Sequence, residues 1–234
     1  MNKKLKILAM ALVVVWLPCL VHRLGAETLT YREVEGAAVT THVLSLRSDG
    51  PGFSVELATT RPNGTVRQTF RTAVDLTTLE WTFSDPARRM ELAAAVQGND
   101  IVLAGSFQGR KIARKFPAAG APWNQLFQVG LGPFALSAGE SVQFRSIGTQ
   151  GPGELKIGKF TVKRQDDEKI VIGGKDIMAV HLRISLSGLL SVFWHGDYWY
   201  RSGDGRFLRY RGKNRSGGPV AVSELVTEET NGTR

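Results

Sequence analysis

The sequence predicts an all-β protein. It reads as a mainly antiparallel half-barrel or strongly curved sheet, with one short helical insertion and a helical export signal at the N-terminus. Three observations predict this. From Glu27 onward, run after run alternates apolar and polar residues with period two. Short Gly, Pro, Asn and Asp turn signals separate the runs, in a chain with 26 glycines. One stretch, from Pro117 to Pro133, breaks the rhythm and holds the expected helix.

The first 26 residues form a unit of their own. Lys3, Lys4 and Lys6 precede an apolar run from Ile7 to Val21, Pro18 sits near its end, and Leu24-Gly25-Ala26 places small residues before Glu27. A basic start, a short apolar centre and a small-residue end make a secretory signal. The run falls short of the ~20 apolar residues of a spanning helix, which favours cleavage. His22 and Arg23 keep the alternative open, a retained anchor over residues 5–21 that holds the protein at the inner membrane. Both readings place residues 27–234, a single β-rich envelope domain, in the periplasm or otherwise outside the cytoplasm. The N-terminal segment engages the membrane during export. Nucleotide, NAD and nucleic-acid functions are disfavoured there.

Composition agrees with a globular exported domain. Of 234 residues, 42% are hydrophobic and 22% charged. The net charge is +9, but four of the 30 basic residues lie in the first 26 positions, which carry no acid. That leaves 26 basic against 21 acidic residues, a net of +5, an ordinary soluble surface. The one cysteine, Cys19, lies in the apolar run, so the domain holds no disulfide and no thiolate site. Trp16-Leu17-Pro18 ahead of Cys19 lacks the small residues that lipid attachment requires.

In order along the domain, Thr28 to Val34 and Val39 to Arg47 read as strands around Gly36. Asp49-Gly50-Pro51-Gly52 is a turn, followed by Phe53, Val55 and Leu57 alternating with polar or small neighbours. Pro62-Asn63-Gly64 turns the chain into Thr65 to Phe70, with Asn-Gly as the hairpin signal. Leu79 to Phe83, Arg89 to Gln97, Ile101 to Phe107 and Arg110 to Phe116 follow as strands. Trp123 to Val129 is the expected helix. Ser141 to Ile147, Glu154 to Arg164, Lys169 to Ile172 and Ile177 to Leu186 resume the pattern, with a Gly173-Gly174 turn. Tyr198 to Arg201 and Arg206 to Tyr210 form the last hairpin about Asp204-Gly205. A two-residue turn there sets Trp199 opposite Tyr210 and Tyr200 opposite Arg209. Val220 to Val226 adds a strand, and Thr227 to Arg234 reads as a frayed tail.

The richest patch runs from Phe193 to Tyr200, five aromatic residues around His195-Gly196-Asp197. In an extended chain His195 and Asp197 share a face, which is the geometry of an acid–base pair. The structural reading is a core-filling aromatic hairpin, and it is preferred. Arg110-Lys111-Ile112-Ala113-Arg114-Lys115 reads either as a contact for anionic headgroups or, preferred, as an edge strand guarded by charge. Asp166-Asp167-Glu168 lacks the alternating ligands of a calcium loop, and His42, His181 and His195 show no metal-binding spacing. No phosphate loop or nucleophile elbow occurs. No metal or other cofactor is therefore expected.

The stretch Val180 to Gly188, with Phe193-Trp194, Tyr198-Trp199-Tyr200-Arg201, Asp204-Gly205, Phe207-Leu208 and Tyr210, resembles a group of exported bacterial proteins of unknown function. These join a signal peptide to one β-rich domain that ends in a tryptophan–tyrosine–arginine hairpin. The resemblance covers about residues 155–226. More remotely, the chain is similar to the open barrel of Lol-type lipoprotein carriers, whose curved sheet and helical lid hold acyl chains. The helix-rich lid segments of a full carrier are missing from this sequence. The resemblance brings no catalytic residues with it.

The functional expectation is a non-enzymatic binding module of the cell envelope, whose concave face holds a hydrophobic, lipid-like or lipoprotein ligand. Trp81, Phe83, Trp123, Phe127, Trp194 and Trp199 are its expected contacts. The alternative is a structural or assembly protein acting through contacts with envelope protein partners. A hydrolase using His195 and Asp197 ranks last.

Overall fold

The computed structural model describes residues 26–149, 154–188, 194–214 and 217–231. Residues 1–25 of the expected export signal (1–26) and Phe193 lie outside them. Fifteen strands form one curved, unclosed antiparallel sheet.

The N-terminal half is an uninterrupted meander of eight strands, because each turn is too short to permit anything but antiparallel pairing of neighbours. They are β1 (Ala26–Glu35), β2 (Ala38–Asp49), β3 (Gly52–Arg61), β4 (Gly64–Thr72), β5 (Thr78–Asp85), β6 (Met90–Gln97), β7 (Asp100–Phe107) and β8 (Arg110–Pro117). The second half adds β9 (Ser141–Thr149), β10 (Leu155–Arg164), β11 (Glu168–Ile172), β12 (Lys175–Leu186), β13 (His195–Arg201), β14 (Phe207–Lys213) and β15 (Val220–Asn231). β15 pairs with the free side of β1, and β14, β13, β12, β10 and β9 follow outward. β8 and β9 are thus the two edges, and β11 shares the outer side of β12 with β10.

Alternation decides the two faces. On β3, Val55 and Leu57 are buried while Glu56 is exposed. On β12, Val180, Leu182 and Ile184 are buried while Arg183 is exposed. The buried sets converge on the concave side into one core with Phe70, Trp81, Leu103, Tyr200 and Phe207. β8 is an edge strand, with Arg110, Lys111, Arg114 and Lys115 exposed, as the charge pattern predicted.

Two local expectations shift. Register pairs Arg61 with Gly64, so Pro62-Asn63 occupies the turn centre. Asn63 is not among the left-handed residues. A primed turn centred on Asn-Gly needs positive φ at both central positions, whereas proline fixes the φ of a common type I turn. The tail also differs. Thr227 to Asn231 continues β15 and pairs with Thr30 back to Ala26, because β1 offers these residues an unoccupied edge.

The chain crosses from edge β8 to edge β9 through residues 118–140, which plug one end of the concave side. The expected helix begins four residues late, as α1 (Phe127–Gly130), followed by α2 (Gly132–Leu136). Trp123 is instead extended. Asn124 N–H donates to Arg145 C=O at 2.9 Å and Arg145 N–H donates to Pro122 C=O at 2.8 Å. Thr78 N–H donates to Trp123 C=O at 2.8 Å, so this segment ties edge β9 to the start of β5. Gln125 extends the tie: its Oε1 accepts from Ile147 N–H at 2.9 Å and its Nε2 donates to Ile147 C=O at 2.8 Å. A side-chain amide here does the work of a strand peptide.

The plug seats on the β13–β14 turn by close backbone approach. A Cβ on Gly132 falls 2.8 Å from Gly205 C=O, and one on Gly205 falls 2.7 Å from Gly132 C=O. Gly205 also has φ +67, so glycine is required there on two counts. Among the described residues no helix is long and apolar enough to cross a membrane.

Candidate functional site

The curved sheet leaves a cavity of about 670 Å³ on its concave side, open at the end away from the plug. Tyr31, Leu44 and Leu57 from β1–β3 form one wall. Phe160, Leu186 and Trp194 form the other, and Tyr198, Phe207 and Tyr210 form the floor. Phe127 of the plug closes the far end.

The walls are fixed by aromatic packing. Phe127 meets Phe144 edge-on at 4.8 Å and Phe160 at 5.6 Å, Phe144 stacks on Phe160 at 5.2 Å, and Phe160 meets Trp194 at 5.9 Å. Offset and edge-on pairs of this kind are the favoured arrangements of ring quadrupoles. Tyr200 Oη donates to Phe127 C=O at 2.8 Å, pinning the plug to the sheet. Trp194 Nε1 donates to Lys213 C=O at 2.8 Å, pinning the upper wall to β14. Burial pushes the phenols of Tyr31, Tyr198 and Tyr210 above their usual range, so the floor stays neutral.

The mouth is polar. His42 Nε2 lies 3.6 Å from Glu33 Oε2, and Asn214 Nδ2 donates to Glu33 Oε1 at 3.0 Å. Burial raises Glu33's pKa, but hydrogen bonds from His42 and Asn214 and their charge surroundings outweigh it and lower the carboxyl overall. Lys156 and Lys213 also line the cavity. An apolar cleft with a few polar groups at its entrance is the general form of a ligand site.

The six aromatic residues expected from sequence divide. Phe127 and Trp194 line the cavity. Trp81 and Phe83 lie together at 5.8 Å on β5, with Trp81 Nε1 donating to Gln68 Oε1 at 3.0 Å, within or against the core. Trp123 is buried in the segment that ties β9 to β5, its Nε1 donating to Gln125 Oε1 at 3.0 Å. Trp199 faces the convex side, stacked on His181 at 4.7 Å and donating to Glu168 Oε1 at 2.6 Å. Sequence reasoning missed Tyr31, Phe160, Tyr198 and Tyr210. Period two on β13 separates Tyr198 from Trp199, but which of the two faces the concave side depends on the curvature of the whole sheet.

The turn after Trp199 is longer than two residues. Trp199 pairs with Arg209 and Tyr198 with Tyr210, because Leu208 bulges between Arg209 and Phe207. Arg209 thereby sits 6.0 Å over the Trp199 ring.

His195 is exposed, and Asp197 is engaged elsewhere. Its Oδ1 accepts from His181 Nε2 at 3.0 Å and from Arg183 Nε at 2.9 Å. Burial raises the Asp197 carboxyl, but hydrogen bonds from His181 and Arg183, with Arg183's charge, hold it at about 2. That is an ion-pair anion, not a proton donor at neutral pH. Because its folded pKa is depressed, its contribution to stability is complete above the unfolded value near ~4 and is lost as pH falls toward 2. Asp197→Asn is expected to cost about 1 kcal/mol at pH 7, after allowance for solvent screening, with most of that cost gone at pH 2 and none left well below it. Urea titrations at several pH values read this directly. Among the described residues no group of three or more His, Cys, Asp or Glu side chains is placed to hold a metal.

No family model and no curated protein matches the chain. Solved structures do. The hypothetical lipoprotein YmcC from Escherichia coli is 10% identical, over 88% of this chain and 89% of that one, at a TM-score of 0.40. A DUF1329 family protein from Desulfovibrio piger is 10% identical over 90% and 87%, at 0.32. A putative outer membrane lipoprotein-sorting protein domain from Vibrio parahaemolyticus is 11% identical over 90% and 87%, at 0.27.

Proposed function

We propose that this chain is a non-enzymatic binding module of the cell envelope, and that its concave cavity holds the apolar part of a lipid-like or lipoprotein ligand. One observation carries the reading. The about 670 Å³ cavity is walled by aromatic and aliphatic side chains and is not filled by them. Cavities of some 300–1,000 Å³ accommodate small ligands, and an unfilled apolar cleft this size is otherwise a loss of dispersion contacts. The plug and the Pro122–Gln125 tie close one end, so the ligand enters at the polar mouth. Placement outside the cytoplasm is supported by the basic, apolar and small-residue order of residues 1–26. An assembly protein working through its sheet surface instead calls for a filled interior.

Native mass spectrometry with lipid extraction, on protein purified from its own envelope, tests the reading. An acyl-bearing ligand is expected to co-purify. A ligand-free monomer that also fails to take up a fluorescent fatty acid overturns it.

A further inference from the structure

We propose that the mouth end of the sheet docks on an anionic lipid surface through a row of basic turns, so that the cavity opens toward that surface. The inference rests on the binding reading above.

Antiparallel pairing sends every second turn to the same end. The register carries the mouth outward along the sheet: Glu33 pairs with Thr40, Thr41 with Thr60, Thr60 with Thr65, Arg67 with Ser84, Ser84 with Glu91, Glu91 with Ser106 and Ser106 with Lys111. The β3–β4, β5–β6 and β7–β8 turns therefore stand on the same rim as Glu33 and His42. Those turns carry Arg61, then Arg88 and Arg89, then Arg110 and Lys111. The turns at the opposite end of the same strands carry Asp49, Asp75 and Asp100, and the β13–β14 turn at that end carries Asp204. Of these acids, Asp49 pairs with Arg71, Asp100 with Lys115 and Asp204 with Arg201, at 3.9, 2.8 and 3.0 Å.

The basic side chains are concentrated and available. Gly109 N–H donates to Arg89 C=O at 2.8 Å, which ties the β5–β6 and β7–β8 turns together. Arg88, Arg89, Arg110 and Lys111 are all exposed. Arg88 and Arg61 share the buried Asp85, at 3.7 and 3.8 Å. Arg89, Arg110 and Lys111 pair with no acid among the described residues. At the mouth itself Lys213 is exposed. Of the acids at this end, Glu33 and Glu35 accept from Asn214, Glu154 pairs with Lys156 at 3.0 Å, and Glu91 is exposed.

A bilayer rich in anionic lipid attracts each such cation, about fivefold in partitioning per residue, and salt screens the attraction. A flat anionic sheet of headgroups fits a row of exposed turns better than a concave acidic partner does. It also sets the cavity mouth against the source of an acyl ligand.

The test is co-sedimentation of the envelope-purified protein with vesicles of phosphatidylglycerol and phosphatidylcholine, compared with phosphatidylcholine alone. The wild type is expected to favour the anionic vesicles, less so at high salt. The triple variant Arg89→Glu, Arg110→Glu, Lys111→Glu is expected to lower that preference at least about a hundredfold. Lys175→Glu, at the exposed first residue of β12 at the opposite end, leaves it unchanged. Equal partitioning into both vesicle types, binding to neither, or a preference that survives the triple variant overturns the proposal. Uptake of a fluorescent fatty acid by the triple variant, measured without vesicles, reads the cavity alone, so failure of the binding reading and failure of the docking surface are told apart.

Discussion

Arg206→Met is expected to lower folding stability by about 3 kcal/mol, seen as a fall in the urea midpoint at unchanged slope. The Arg206 side chain is only 9% exposed, and its Nη2 donates to Glu27 Oε2 at 2.8 Å, where Glu27 is 5% exposed. Its Nε lies 3.2 Å from Glu228 Oε1 and 3.8 Å from Asp204 Oδ2. Arg201 completes the group, donating to Glu228 Oε2 at 2.6 Å and Asp204 Oδ2 at 3.0 Å. Among the described residues, two cations thus hold three carboxylates at the closed end, joining the start of β1, the β13–β14 turn and the end of β15. Removing one cation from such a cluster leaves buried negative charge in excess, which is the costly event; the pair itself contributes little over an apolar replacement. Arg206→Met combined with Glu27→Leu is therefore expected to recover most of the loss. A single variant that costs under ~1 kcal/mol, or a double variant no better than the single, shows that the cluster is solvated.

That cluster marks where sequence reasoning stops. The strands were legible because one face of each is buried, so period two is imposed on β3, β7 and β12 whatever their neighbours. Edge β8 was legible from its charge, since an unpaired edge must resist association. Glu27 read only as the residue after an export signal, because its partner is 179 positions away. Thr227 to Asn231 read as a tail for the same reason: five polar or charged residues become a strand only when β1 is beside them. The aromatic hairpin was visible, but its faces were not. One bulged residue, Leu208, moves Trp199 opposite Arg209, and the curvature of the whole sheet then assigns Tyr198 to the cavity and Trp199 to the other side.

Gly148→Trp is expected to weaken binding of a fluorescent fatty acid about a hundredfold while leaving the urea midpoint within ~0.5 kcal/mol of wild type. Gly148 lies on β9 and lines the cavity. A Cβ there meets nothing within 4 Å, and its φ lies outside the left-handed region, so a large side chain enters without moving the backbone. An indole in the cavity displaces on the order of 100 Å² of ligand contact, or about 2.5 kcal/mol of apolar burial, which is nearly a hundredfold in affinity. β9 is an edge strand that favours aromatic over glycine residues, so stability has no reason to fall. Two companions locate the effect. Trp194→Ala removes part of the upper wall and is expected to weaken binding about tenfold, whereas Trp199→Phe, on the convex face against His181, is expected to leave it unchanged. Wild-type affinity in Gly148→Trp places the ligand outside this cavity, and a loss in Trp199→Phe equal to that in Trp194→Ala places it on the convex face instead.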